Sequence, residues 1–250
     1  MITQQVFGKT SEGIEVRLFK ITNSNGMSAE ITNLGGIIVS LFTPDREGKL
    51  GDITLGSYDF DFYLENPPYF GALIGRHANR LENGHFELNG KDYDLAINNS
   101  PNHLHGGLKG FDKAVWDAQI IEYNGVEALE LSYISKDGEE NYPGNLNVKV
   151  IYTISEANAL EIHYYAISDK DTVVNLTNHA YFNLKGHNTG NVLDHVVSIN
   201  ADFSTPTDSD NLPNGEIKKV TGTPFDLLIP KKLAEFIDCN DEQIIYGKGY

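Results

Sequence analysis

An all-β chain, folded as an antiparallel sandwich or barrel, is what this sequence predicts, and three observations carry the prediction. Apolar and polar residues alternate with a period of two through most of the chain. Asn89-Gly90 stands between two alternating runs, the strongest short-range signal of a two-residue hairpin. Helical patterns are few and short, and many short strands with little helix bury their apolar faces by packing sheet on sheet or by closing a barrel. Pattern alone does not choose between those two solutions.

Taken in order, alternating runs predict strands at 14–21, 27–33 and 37–42, each bounded by Gly, Pro, Asn or Asp. The hairpin in HFELNGKDYDL comes next, then a run at 129–134. In LNVKVIYTI, Val148, Val150, Tyr152 and Ile154 share one face, and in ALEIHYYAI, Leu160, Ile162, Tyr164 and Ala166 do the same, with SEANA as the turn between them. VVNLTNHAYFNL, residues 173–184, also reads as a strand, as does 194–200. The chief helical candidate is KKLAEFID after Pro230, where Leu233 and Phe236 lie at i and i+3. No repeat or Gly/Ser/Pro linker divides the chain, so residues 1–250 read as one domain; at 40% hydrophobic content they enclose a substantial core.

Charge and composition narrow the partners. A formal net charge of -16 repels phosphate backbones and anionic lipid, which argues against nucleic acid and membrane surfaces. The amino terminus lacks the basic and apolar regions of a secretory signal, and no stretch approaches the ~18 apolar residues of a membrane span. Cys239 is the only cysteine, so no internal disulfide forms; a cytoplasmic location is expected.

Three segments carry chemistry. In residues 173–184 a strand would place Asn175, Thr177, His179, Tyr181 and Asn183 on one face and Val174, Leu176, Asn178, Ala180, Phe182 and Leu184 on the other. Amides, a hydroxyl, an imidazole and a phenol suit a hydroxyl-rich ligand, and equally a satisfied polar network on a half-exposed strand. An unperturbed His179, with a pKa near 6.5, is an acid–base group at neutral pH. In GRHANRLENG, Asn79 and Arg80 are donors that reach one ligand only if the chain bends between them, since neighbours on a regular strand face opposite sides. The alternative is that Arg76 and Arg80 pair with surface carboxylates such as Glu82. In NHLHGGLKGFDKAVWD, His103 and His105 stand at i and i+2, but no further ligand cluster supports a metal site; His105 reads as an imidazole on a tight loop made by Gly106-Gly107. Trp116 is either a core anchor or a stacking platform.

Four collinear stretches, GRHANRLENGHFELNGKDYDLAIN, NHLHGGLKGFDKAVWD, SKDGEENYPGNLNVKVIYT, and VVNLTNHAYFNL with DFSTPTDSDNLPNGEI and GTPFDL, resemble the aldose 1-epimerase (galactose mutarotase) family along nearly the whole chain. The resemblance implies a large antiparallel β-sandwich, an isomerase without metal or organic cofactor, and a small-molecule sugar such as galactose or glucose as substrate. It implies that His179 is the general acid, that Asn79 and Arg80 bind sugar hydroxyls, and that His105 and Tyr181 line the same site. A monomer or weak dimer is expected. The family's glutamate base, near its carboxyl terminus, and its sugar-holding aspartate find no counterpart before Gly247-Lys248-Gly249-Tyr250, so a shortened sandwich without its closing strands and without that base is expected. A non-catalytic or degenerate sugar-binding sandwich and a hexose-6-phosphate epimerase stand as alternatives.

Overall fold

A computed structural model describes residues 1–66 and 68–247. Five consecutive runs, β1 (Ile2–Lys9), β2 (Glu15–Thr22), β3 (Ser28–Thr32), β4 (Ile38–Pro44) and β5 (Leu50–Asp52), form one antiparallel meander. Alternation along β2 sends Val16 and Leu18 into one apolar cluster and Phe19 and Ile21 into another, so this sheet is covered on both faces. On β4 the phase changes. Ile31 pairs with Ile38 but Glu30 with Ser40, and the extra residue, Val39, lets Ile38 and Leu41 reach the same core while Val39 faces the other way.

Helix α1 (Phe60–Glu65) was not foreseen; Asp59 caps it by accepting from the Asp61 N–H at 3.1 Å, and Asn66 ends it in a left-handed conformation. Short pairings follow: β6 (Leu73–Ile74), β7 (Arg80–Leu81), the hairpin β8 (His85–Leu88) and β9 (Lys91–Asp94), and β10 (His103–Leu104), which pairs with β7. The hairpin turn is the one the sequence predicts, with φ of 56° at Asn89 and 74° at Gly90.

The second sheet is β11 (Asp117–Tyr123), β12 (Val126–Ser135), β13 (Leu146–Ile154) and β14 (Leu160–Ser168) in that order. Val148, Val150, Tyr152 and Ile154 lie on one face, as the alternation predicts, and meet Phe19, Ile21, Ala29 and Ile31 of the first sheet in a shared core. Two antiparallel sheets face to face make this a sandwich. Trp116 belongs to that core: it is 1% exposed and its indole N–H donates to the Phe111 carbonyl at 3.1 Å.

Residues 173–184 depart from the expected regular strand. Only β15 (Thr177–Asn178) forms a ladder, with β6, and the rest is held by single bridges at Asn175 and Phe182. Asparagine is the reason: Asn178 accepts from the Ala180 N–H, Asn183 accepts from that of Lys185, and these local bonds compete with a continuous ladder. The two faces are correspondingly uneven. Leu176 and Ala180 pack on the core, but Asn183 is 3% exposed and Phe182 47%.

Residues 1–188 form one compact unit and 189–250 a second. The second contains β16 (Val196–Val197), β17 (Phe203–Ser204), β18 (Lys218–Lys219), β19 (Lys231–Lys232) and α2 (Glu242–Gly247). The strand expected at 194–200 shrinks to β16, which pairs with β19. The helix expected after Pro230 is corrected to β19 followed by one 3-10 turn, Leu233–Glu235, tied by the Lys232 N–H to the Glu235 carboxylate at 3.0 Å. Residues that pair in a strand do not also wind into a helix. Among the described residues no helix is long and apolar enough to cross a membrane. The Lys248–Tyr250 stretch, to which the expectation of missing closing strands refers, lies outside the described residues.

Candidate active site

Two backbone segments set the frame. The stretch 71–78 runs beside 175–179: the Asn175 N–H donates to Arg76 O, Ala78 N–H to Asn175 O, and His179 N–H to Ala72 O, while His179 O accepts from Gly71 N–H. The Asn175 side chain adds a bond to Ala78 O at 3.1 Å, so it is spent on the scaffold. This zipper brings Asn79 next to the segment that carries His179.

At Asn79 the chain turns. Its φ of 63° is the bend that lets Asn79 and Arg80 serve one side, and Asn tolerates the left-handed region better than most residues. Arg80 turns back on its neighbour, donating through Nη1 to Asn79 Oδ1 and through Nε to Asn99 Oδ1, each at 3.0 Å. These amides, rather than the Glu82 carboxylate considered from sequence, are its partners. A guanidinium has five N–H donors, so a fork remains for a ligand.

His105 closes the other side. It follows β10 with φ of 54°, and a Cβ at Gly106 would stand 1.8 Å from Gly75 O, so only glycine lets this loop lie against the 75–76 backbone. Asn79 and His105 clasp each other: the Asn79 N–H donates to His105 Nδ1 and the His105 N–H to Asn79 O, both at 3.0 Å. Accepting at Nδ1 leaves the proton of the neutral ring on Nε2, which becomes a donor. His103 goes elsewhere; fully buried, it bonds Tyr142 OH through Nε2 and Ala96 O through Nδ1. The His103 and His105 rings therefore serve different partners.

The rings of His105 and His179 are 5.1 Å apart, and Tyr181 is 5.1 Å from His179. Two aromatic residues that the sequence reading missed complete the wall. Tyr69 meets His105 edge-on at 4.9 Å and lies 5.8 Å from His179, and Phe70 meets Tyr181 at 5.2 Å. The buried Asn66 holds them, exchanging side-chain bonds with the Phe70 backbone. The Asn-Pro-Pro-Tyr-Phe-Gly run shows neither strand nor helix periodicity; its only local signal is a dense pair of aromatics beside turn formers. Arg76 is corrected in the opposite sense. It is 2% exposed, and its guanidinium is spent on the turn around Ser135–Gly144.

Burial governs the electrostatics. It pushes the His105 imidazole down to about 4, helped by the nearby His179 and Arg80 charges, and it lowers His179, His77 and His103 as well. His179 thus departs from the untuned imidazole expected from sequence. A stability consequence follows, with a definite sign. A histidine whose folded pKa is depressed binds protons more readily when unfolded, so stability is full above about 6.5 and is lost as pH falls toward the folded value. Asp112 opposes this, because burial raises its carboxyl to about 6 and it gains stability on protonation. With four lowered histidines against Asp112 and the exposed His85, which Asp94 and Asp92 raise, the urea midpoint is expected to fall between pH 7.5 and 5.5. His105 contributes at most about 3 kcal/mol once its pKa is reached, less what solvent screens at its open edge. A midpoint that holds or rises across that window would show that these rings are not buried as described.

Residues 17–244 match the family model described as aldose 1-epimerase. The chain is 45% identical over 237 residues to galactose mutarotase of Bos taurus, covering 94% of this chain and 68% of that protein. It is 35% identical over 237 residues to aldose 1-epimerase of Escherichia coli, covering 94% and 67%. The crystal structure of galactose 1-epimerase from Lactobacillus acidophilus superposes with a TM-score of 0.87 at 27% identity, covering 99% of this chain and 71% of that one.

Proposed function

Because the chain belongs to the aldose 1-epimerase family, we propose that it interconverts the α and β anomers of a free aldose such as galactose or glucose, with His179 as the acid of ring opening. The observation that carries this reading is the convergence of His105, His179, Tyr69 and Tyr181 beside the bent Asn79-Arg80 pair. Flat aromatic and imidazole walls suit a pyranose ring. Arg80 supplies a fork of N–H donors and His105 an Nε2–H, both suited to hydroxyls.

Ring opening needs a base to take the C1 hydroxyl proton while an acid protonates the ring oxygen; rotation about C1–C2 and reclosure with the roles exchanged gives the other anomer. Acid and base each contribute about 10²–10⁴-fold. A neutral imidazole donates a hydrogen bond rather than a proton, so the lowered pKa of the buried His179 calls for a negative charge in the working site to lift it. A carboxylate base, which the family resemblance implies, is such a charge. Glu140 does not fill that role, since its oxygens accept from the Leu108 and Lys109 N–H groups.

Optical rotation of freshly dissolved galactose, glucose and glucose 6-phosphate tests the reading. In protein that carries the family's carboxylate base, accelerated mutarotation of the free sugars supports it, and exclusive activity on the phosphate, or binding without turnover, sinks it. Arg80→Ala is expected to raise KM about tenfold or more with a smaller change in kcat, because hydroxyl contacts persist in ground and transition states. Unchanged kinetics would leave Arg80 with its Asn79 and Asn99 bonds alone.

A further inference from the structure

The loop that carries His105 has no regular structure after β10, yet its backbone polar groups are held from both flanks. On one flank Asn98 accepts from the Leu104 N–H at 2.7 Å and donates to the Leu104 and Gly107 carbonyls, each at 2.9 Å. On the other, Glu140 takes the Leu108 N–H at 2.9 Å and the Lys109 N–H at 3.1 Å, one on each carboxylate oxygen. Hydrogen bonds to an ionised acceptor are about twice as strong as neutral ones.

Glu140 is itself held in an unusual state. It occupies the left-handed region, φ 47° and ψ 25°, inside the 3-10 turn Glu139–Asn141, a conformation that a non-glycine residue keeps only when its surroundings enforce it. Arg76 bonds the carbonyls of Ser135, Lys136, Pro143 and Gly144 on either side of the turn, and Tyr142 OH bonds His103. Gly107 shows how closely the parts fit: a Cβ there would stand 2.1 Å from Glu140 Oε2.

We propose that Glu140 is a positioning residue that clamps the 107–109 backbone and so holds the His105 ring in the site. The chain of contact is short. Leu108 and Lys109 are fixed by the carboxylate, Gly106 is pressed on Gly75, and His105, between these anchors and β10, keeps its Nδ1 on the Asn79 N–H. Releasing one anchor frees the ring to tilt and admits water. The consequence for turnover rests on the epimerase reading above; the placement of His105 does not.

Three variants separate the clamp from a plain charge effect. Glu140→Ala removes both bonds; Glu140→Asp keeps the charge but falls short of the loop; Glu140→Gln keeps the reach and one acceptor oxygen but sets an NH2 against the other N–H, so one of the two bonds survives. Histidine titration by NMR reads the His105 ring directly, with the His179 and Arg80 charges, the Tyr69 ring and the Asn79 N–H as the groups that face it. The expected result is that the His105 midpoint rises from about 4 toward 6.5 in the Ala and Asp variants and rises less in the Gln variant, which keeps one of the two bonds. KM for the sugar should rise at least about tenfold in the first two and by less in the third, in line with the cost of misplacing a binding group by about 1 Å. An Asp variant that behaves like the parent while Ala does not would make the effect one of charge and overturn the clamp. So would a His105 midpoint left at about 4 in the Ala variant. A moved midpoint with unchanged anomer conversion would uphold the clamp and remove His105 from sugar binding. If the Ala variant fails to fold, the Asp and Gln pair still decides.

Discussion

In protein that carries the family's carboxylate base, His179→Asn is expected to lower kcat by at least about 10²-fold and to leave KM within about threefold. Asparagine is close to histidine in reach and keeps an N–H donor, so the packing against Tyr69 and Tyr181 and a hydrogen bond to the sugar can persist. What it lacks is a titratable proton. The ring oxygen gains basicity only as the C1–O bond breaks, so the acid acts in the transition state far more than in the ground state, and its loss falls on kcat. The backbone of residue 179 donates to Ala72 O and accepts from Gly71, independently of the side chain, so the fold is expected to survive. The pH profile is the second readout. A residue that acts protonated loses activity as pH rises through its pKa, and that alkaline limb should vanish in the variant. Near-normal kcat, or an unaltered limb, would take His179 out of the chemistry.

The largest stability effect is expected at Arg76. Its guanidinium is buried and donates to Ser135 Oγ from both Nε and Nη2, to the carbonyls of Ser135, Lys136, Pro143 and Gly144, and to Thr172 Oγ1. Glu139 lies close by, bonded to Tyr133 OH and to Ser135 Oγ, and supplies the nearby negative charge. Arg76→Ala strips several buried acceptors of their donor and leaves that carboxylate without its cation. Breaking such a network costs about 3–5 kcal/mol. Arg76→Lys restores charge but not the planar fork, and is expected to recover only part of the loss. Urea unfolding of both variants measures this, and a cost under about 1 kcal/mol for alanine would mean that water replaces the guanidinium without strain.

Much of the fold was legible because its signals are local. The face shared by Val148, Val150, Tyr152 and Ile154 follows from the two-residue period of any strand, and the Asn89-Gly90 turn follows from residues that accept positive φ. Expectations failed where local bonding outcompeted the period. Asparagine side chains broke up 173–184, and pairing of Lys231-Lys232 with Val196-Val197 pre-empted a helix for which the sequence carried only a weak pattern.

By itself, the sequence determined most of the strands, though not β1 or β11, the main hairpin and the residue types available for sugar chemistry, because alternation, turn preference and functional groups are properties of neighbouring residues. Only the tertiary structure decided which of those groups meet. Arg76 and Arg80 carry the same chemistry four positions apart, yet one is sealed beneath the Ser135–Gly144 turn and the other faces Asn79. Tyr69 gained a place beside His105 and His179, while Asn183, expected on the same face as His179, was buried. The reason is that burial and ring contact depend on backbone segments distant in the chain, and on the left-handed turns at Asn79 and His105 that aim them. No period in a single stretch of sequence records where a distant segment will lie.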